Sequence, residues 1–419
     1  MDNSIPINSL IRKFIIAMRL DEKYSRIVTN KIAAILTAMA IKGFSAKMTD
    51  IEEVSQCHRT TVSYFLSASP WNDEPIKALI KSESYKYIKQ WSVETETPIF
   101  VSHDDTVNPK RKPSSQALRP MQGAAFHHSH LLGKRVWGHQ VQATMVSCGD
   151  VALNYDLHRY DNSDKDKKTG GKEEEKASGK GQKGKNKKNI QTKIDYVIEL
   201  VSSLPALDTI AYFMADCWYS CPKIIDACAA RGYHYIGALK TNRIIYPKGI
   251  HISIADFAAK YITKVDVDLV TVNGSEYYVY RYEGKLNNID NAIVLMSWPK
   301  KAFKNPKALR AFICTDVSLS TATILDYYTN RWCIETFFSQ AKDSLGFGKY
   351  QIRSVKGIER LWTLMSLFHL LCTTGLGKVM PFGEGMRLLR RSILEERIAF
   401  IYQCAQQGVP FEEVLAACA

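Results

Sequence analysis

No stretch of this 419-residue chain is long and apolar enough to cross a bilayer. The longest apolar run, Leu361 to Leu376, contains His369 and several threonines and falls short of a membrane span. It is expected instead as a buried helix, with no membrane role. The ten cysteines lack the paired spacing of a disulfide framework, and no secretory signal opens the chain, so reduced thiols in a cytoplasmic protein are expected. No internal repeat recurs. Acid is in deficit: 42 Asp and Glu stand against 56 Lys and Arg, a net charge of +14. That imbalance points to a polyanionic partner, with DNA or RNA first, although one lysine-rich tract supplies part of it. A hydrophobic content of 46% with 11% aromatic residues is that of a globular protein, long enough here for two or three domains.

Residues 1–95 read as helical. Ile11–Leu20 and Ile32–Ile41 carry apolar residues at helical spacing, with Lys and Arg on the other side. Around residues 49–66, Thr49 or Asp50 caps a short helix through Val54, and a turn near Cys57 leads into a second helix, Arg59–Leu66. The pattern resembles a helix-turn-helix, with Arg59, Thr60 and Thr61 at the start of the helix that would enter a major groove. An ordinary helical bundle fits the same residues.

Pro98 opens a short strand, Ile99–His103, that ends in Asp104-Asp105-Thr106. Arg135–Cys148 and Val151–Tyr160 alternate well and are joined by Gly149-Asp150, a hairpin signal. The lysine-rich loop 163–189 lacks apolar residues and is expected as a solvated loop with sequence-independent DNA contact. Ile190–Leu204 reads as a helix and Thr209–Met214 as a buried strand ending in Ala215-Asp216. Cys221–Arg231 is then a helix and Tyr233–Leu239 a strand. Residues 241–316 read mainly as strands, a β-rich insertion, and residues 355–419 as helical with Arg387, Arg390, Arg391 and Arg397. Strand, hairpin strands, helix, strand, helix, strand is the order of a ribonuclease-H-like α/β fold: a mixed sheet flanked by helices.

The stretch Tyr328–Lys342, YTNRWCIETFFSQAK, contains no Pro or Gly, and a single helix is expected from the cap at Ser320 to Gly346. At about 100° per residue, Arg331, Glu335 and Lys342 fall at roughly 300°, 340° and 320° from Tyr328, one narrow stripe. Ile334, Phe338, Ala341 and Leu345 form a buried stripe beside it. A solvated charged edge is the bland account of such a helix. The spacing Y-x2-R-x3-E-x6-K, however, resembles the signature of the DDE transposases of bacterial insertion sequences, in their Y-R-E-K branch, and all four positions match. The resemblance covers Ile99 to about Arg353, with gaps at the lysine-rich loop and the β-rich insertion.

The resemblance implies Asp105, Asp216 and Glu335 as the catalytic, metal-holding acids. Asp105 is favoured because the family's acid directly precedes Thr, but the doubled aspartate leaves Asp104 open. It implies Tyr328, Arg331 and Lys342 as DNA-binding groups, and two Mg²⁺ or Mn²⁺ ions per site. Three carboxylates suit such hard ions, which keep waters and let a substrate phosphate complete their shells. The catalytic domain would comprise residues 96–240 and 317–354, with a homodimer on double-stranded DNA in a nucleoid-associated protein. Two rivals remain: a nuclease on the same sheet that cuts without joining, and a non-catalytic DNA-binding descendant. Among other signals, His127, His128, His130 and His139 lack partners at closed zinc-site spacing. Cys217 and Cys221 read as core thiols, and Trp298 reads as packing rather than as a wedge into DNA.

Overall fold

Ile99–Val101 is apolar on both faces, and such a run is stable only where both are covered. In the computed structural model, which describes residues 7–42, 48–55, 57–129, 132–161, 191–206 and 208–418, it opens β1 (Ile99–Pro109), an interior strand. β2 (Ala125–Ser129) and β4 (Val151–Tyr160) both pair antiparallel with β3 (Lys134–Cys148), which in turn pairs antiparallel with β1. On its other side β1 runs parallel to β5 (Ala211–Ala215), and β5 parallel to β6 (His234–Leu239). The order β4-β3-β1-β5-β6, with its parallel trio, is that of a ribonuclease-H-like sheet.

The β-rich stretch after β6 continues the same sheet. β6 pairs with β12 (Arg310–Cys314), then follow β11 (Ile289–Pro299) and β10 (Ser275–Leu286). β9 (Asp268–Val272) and the short β7 (Ile244–Ile245) also pair with β10, β8 (Ile252–Ser253) pairs with β7, and α9 (Ile254–Lys260) comes directly after β8. Trp298 is 2% exposed and packs edge-on to Phe303, so it lies in this core.

Helices cover the sheet. α7 (Lys193–Ser203), started by a Thr192–Asp195 capping box, and α8 (Pro222–Ala230) bury Val197, Leu200, Ile224 and Cys228. The helix expected as one piece over 320–346 is two, α10 (Thr321–Thr329) and α11 (Trp332–Ser344). The backbone stays right-handed at Asn330 and Arg331, but the hydrogen bonds tighten to the i→i−3 kind: Asn330 N to Tyr327 O, Arg331 N to Tyr328 O and Ile334 N to Arg331 O. No Pro or Gly marks this break. Ile334, Phe338, Ala341 and Leu345 are all buried, and Gly346 follows with φ +65°.

α12 (Val355–Thr374) contains most of the long apolar run and is buried along nearly its whole length. No described helix is long and apolar enough to cross a membrane. α12 packs against three of the N-terminal helices α1 (Ser9–Ala17), α2 (Leu20–Lys23), α3 (Arg26–Lys42), α4 (Met48–Ser55), α5 (Arg59–Ser67) and α6 (Glu74–Thr95), namely α3, α5 and α6, and α1, α2 and α4 pack on α3. α13 (Phe382–Gln406) and α14 (Phe411–Cys418) close the chain. His130 and the lysine-rich loop 163–189 lie outside the described residues.

One buried cation ties the N-terminal helices to the rest. Arg360 of α12 is 1% exposed and donates to the carbonyls of Phe65, Leu66, Ser69 and Trp71 while pairing with Asp73. These include carbonyls that the end of α5 leaves without helical partners. Arg360→Ala strands Asp73 and those carbonyls, and urea unfolding should show a loss of about 3–5 kcal/mol.

Two histidines set an acid limit. Burial pushes His139 and His369 down to about 4, from the usual value near 6.5. The folded protein thus resists protons that the unfolded chain accepts. Their contribution to stability is fully present above about pH 6.5 and is lost as pH falls toward 4. Urea midpoints measured across that window should fall with pH, and His369→Leu should flatten the fall.

Candidate active site

The site is built on the period-2 alternation of β1. Ser102, Asp104 and Thr106 point to α11, where Cys333 Sγ lies 3.8 Å from Ser102 Oγ, Arg331 Nη1 2.9 Å from Asp104 Oδ2, and Lys342 Nζ 2.7 Å from Thr106 Oγ1. His103 and Asp105 point to the opposite face. There His103 packs against Tyr196, Phe213 and Tyr219, and Asp105 meets Lys193. The two adjacent aspartates therefore face different helices.

β1 was expected to end before Asp104, placing an acid at a strand mouth. It continues to Pro109 instead, because β3 pairs with it as far as Gly138 and Asn108 Nδ2 donates to Phe347 O at 2.9 Å. The opening comes from its other neighbour. β5 ends at Ala215, opposite His103, so Asp104 and Asp105 lie beyond the end of their parallel partner. Asp216, the residue after β5, lies at the same opening.

Asp105 is fully engaged. Lys193 Nζ at 2.8 Å and Tyr219 Oη at 2.7 Å donate to its Oδ2, and Gln140 Nε2 at 2.7 Å donates to its Oδ1. Burial alone would raise its pKa, but Lys193 and these donors hold it below the ordinary carboxylate value. Asp104 is in the reverse position. Burial, with the Asp216 charge next, pushes it up to about 7 despite the Arg331 guanidinium. Burial also raises Asp216, whose Oδ1 accepts from Trp218 N at 2.9 Å, and the Asp105 charge adds to the shift. Negative charge is in local excess on the Asp104 side.

Arg331 supplies the partial compensation. Its fork joins Asp104 to Glu335, with Nη2 to Glu335 Oε1 at 3.2 Å, and its guanidinium lies 5.7 Å from the Tyr328 ring centre. Tyr328 in turn packs edge-on to Phe312 of β12. Burial would lower the Arg331 pKa, but the nearby Tyr328, Asp104 and Glu335 raise it. Lys342 is pushed down by burial.

The structure thus brings Glu335, Arg331, Tyr328 and Lys342 together along β1, with Asp216 at the same opening. Of the aspartate pair it is Asp104, not Asp105, that shares the Arg331 guanidinium with Glu335. Among the described residues, no three Asp, Glu, His or Cys side chains stand close enough to hold a metal ion as they are, and the Arg331 fork lies across two of the acids. The chemistry of the set nevertheless fits a hard divalent cation: Asp104, Asp216 and Glu335 are all carboxylates, and burial raises the first two.

Sequence reasoning missed the clamp on Asp105: Lys193, Tyr219 and Gln140. It also missed Trp218 and Trp332, 52% and 68% exposed, each next to or two residues from a site residue. Nothing in the linear order of Lys193 ties it to Asp105; only packing of α7 does. Arg59, Thr60 and Thr61 are exposed on the first turn of α5, which His58 caps by accepting from Thr60 N. His139, one of the four histidines weighed for zinc, is bonded to Tyr350 Oη and Gln122 O. Cys217 and Cys221 are free and partly exposed.

Two family models match the chain. One, described as a transposase DDE domain, covers residues 188–371, and one described as a DDE superfamily endonuclease covers residues 30–256. No curated protein matches.

The two aspartates should differ in what they do for stability. Asp105→Asn leaves Lys193 without its counter-ion in a largely buried place and should lower the melting temperature. Asp104→Asn removes a carboxylate held up near 7, so at pH 8 it relieves repulsion and should leave the melting temperature unchanged or raised. Thermal melts of both variants at pH 8 check this.

Proposed function

This chain belongs to the DDE superfamily endonucleases, and we propose that it is a DNA transposase of an insertion sequence, of the Y-R-E-K branch. It binds the element's terminal inverted repeats, hydrolyses a strand at each end, and joins the freed 3′-hydroxyl to target DNA. Hydrolysis places the oxygen of water on the 5′-phosphate. Joining then forms one phosphodiester as it breaks another, so no outside energy source is needed. The observation that carries the reading is the meeting of Asp104 from β1 with Glu335 from α11 through one guanidinium, beside Asp216.

Asp104, Asp216 and Glu335 would hold Mg²⁺ or Mn²⁺, two ions per site. Asp104 takes the place of Asp105, the residue favoured by the motif, because Asp105 already accepts from three donors on the other face. The ions supply activation of the attacking oxygen and stabilisation of the leaving one. The chain's own groups orient the DNA. Arg331 is a planar fork suited to a phosphate, and Lys342, held at Thr106, is a point charge about three turns further along the same face. Tyr328 fixes the position of the Arg331 side chain, and Trp218 and Trp332 offer stacking faces at the rim. Arg59, Thr60 and Thr61 on α5 read the end sequence from a helix-turn-helix within residues 1–95. A homodimer holds the two ends. The exposed apolar stripe Leu394, Ile398, Ile401 and Tyr402 on α13 supports it.

The test is cleavage of a plasmid carrying the gene with its flanking DNA, in Mg²⁺. Glu335→Gln should abolish cutting at the ends while retarding end fragments as the unaltered protein does. Cutting by Glu335→Gln at the unaltered rate would end the reading. A precut end incubated with a target plasmid separates transposition from plain nuclease action: joined product is expected, and its absence favours the nuclease.

A further inference from the structure

Between α5 and the catalytic sheet lies an open groove of about 780 Å³ whose walls come from four separate segments, one of them the start of α4 at Met48 and Thr49. α5 contributes Arg59 and Ser63, the loop after β1 contributes Arg119 and Gln122, and the segment before α12 contributes Gln351 and Arg353. All three arginines are exposed, and no acidic residue lines the groove. Of the acids of α4, Glu52 faces His58 and Glu53 pairs with Lys42, while Asp50, next to the lining Thr49, keeps its Oδ2 buried away from the groove surface. We propose that this groove binds one phosphodiester strand of the element-end duplex, holding it in line with the acids of β1. The proposal rests on the reading of the site as a DNA-end cleaver.

Three cations around one concavity that no described acid lines repel one another, a cost that a polyanion removes. Duplex DNA offers one phosphate per about 3.4 Å of each strand, and each neutralised phosphate releases condensed counterions. The hydroxyl and amide groups between the arginines are the kind that position a backbone without reading sequence. A free anion would need only one cation. Three, spread over separate segments, suit a continuous strand.

The walls are fixed to one another, so the groove does not depend on DNA to form. Gln122 N donates to Arg353 O at 2.8 Å, and Gln122 Oε1 accepts from Val355 N at 3.2 Å. On the other wall Arg360 anchors the end of α5 to α12, and a Cβ on Gly357 would stand 2.7 Å from Ser67 Oγ, so the two elements touch. Two further cations lie along β1 between the groove-lining Gln351 and the acids. Lys110, just past β1, donates to Gly348 O and Tyr350 O, and Lys342 donates to Thr106. Six residue steps separate Lys110 from Asp104, about 20 Å at roughly 3.3 Å per residue, or about six nucleotide steps. A strand lying on this path reaches from the cutting site to the helix that would read its sequence.

The test is the salt dependence of binding, measured with the full chain and a labelled duplex of random sequence between about 50 and 200 mM salt. Arg119→Gln with Arg353→Gln should reduce the slope of log Kd against log salt by about 2, close to 0.9 for each phosphate left without its arginine. Lys260→Gln with Lys301→Gln, exposed cations near the far end of the sheet, should leave it unchanged. Both pairs lie on the surface, and matching thermal melts verify the fold. A slope in the Arg119/Arg353 variant equal to the unaltered protein's overturns the groove, whatever Glu335→Gln does to cleavage. A reduced slope beside undiminished cleavage by Glu335→Gln supports the groove and overturns the catalytic reading.

Discussion

A single guanidinium holds the candidate site in its present arrangement. Asp104 and Glu335 come from a strand and a helix more than two hundred residues apart, and Arg331 binds both. Without a cation, burial and the charge on Asp216 work against ionising Asp104. Arg331 thus serves two needs of one site. It neutralises acids when no DNA is present, and its fork has the shape to take a phosphate when DNA arrives. That exchange would leave the carboxylates free for divalent ions.

The second constraint is the alternation of β1. Side chains at 102, 104 and 106 face α11, while those at 103 and 105 face the α7 side, so the doubled aspartate meets two different environments. Asp105 accepts from Lys193, Tyr219 and Gln140. Asp104 is left with one cation and an acidic neighbour. A motif that names only the acid before Thr106 cannot distinguish them, since the distinction lies in which helix each faces.

What the sequence revealed depended on whether one local rule governed the residues. The charged stripe on Tyr328, Arg331, Glu335 and Lys342 was legible because helical periodicity alone puts those residues together. The hairpin at Gly149-Asp150 was legible from turn chemistry. β1 beyond His103 was not: polar residues occupy both faces from Asp104 to Asn108, a pattern that reads as loop. Only pairing with β3 and the cover of α11 and Phe347 keep it extended. The break at Asn330 was hidden as well, because the dihedral angles remain helical and no breaker residue is present. The strand-helix order gave the ribonuclease-H-like core, but pairing of β6 with β12, which joins the β-rich stretch to the same sheet, has no local signature.

Asp104, with Asp216 and Glu335, is the metal-holding set proposed for this site. Calorimetric titration of Mn²⁺ into the unaltered protein and into Asp104→Asn distinguishes it from other sets. Saturable binding that disappears in Asp104→Asn is expected. Equal Mn²⁺ binding by the two proteins would rule Asp104 out as a ligand.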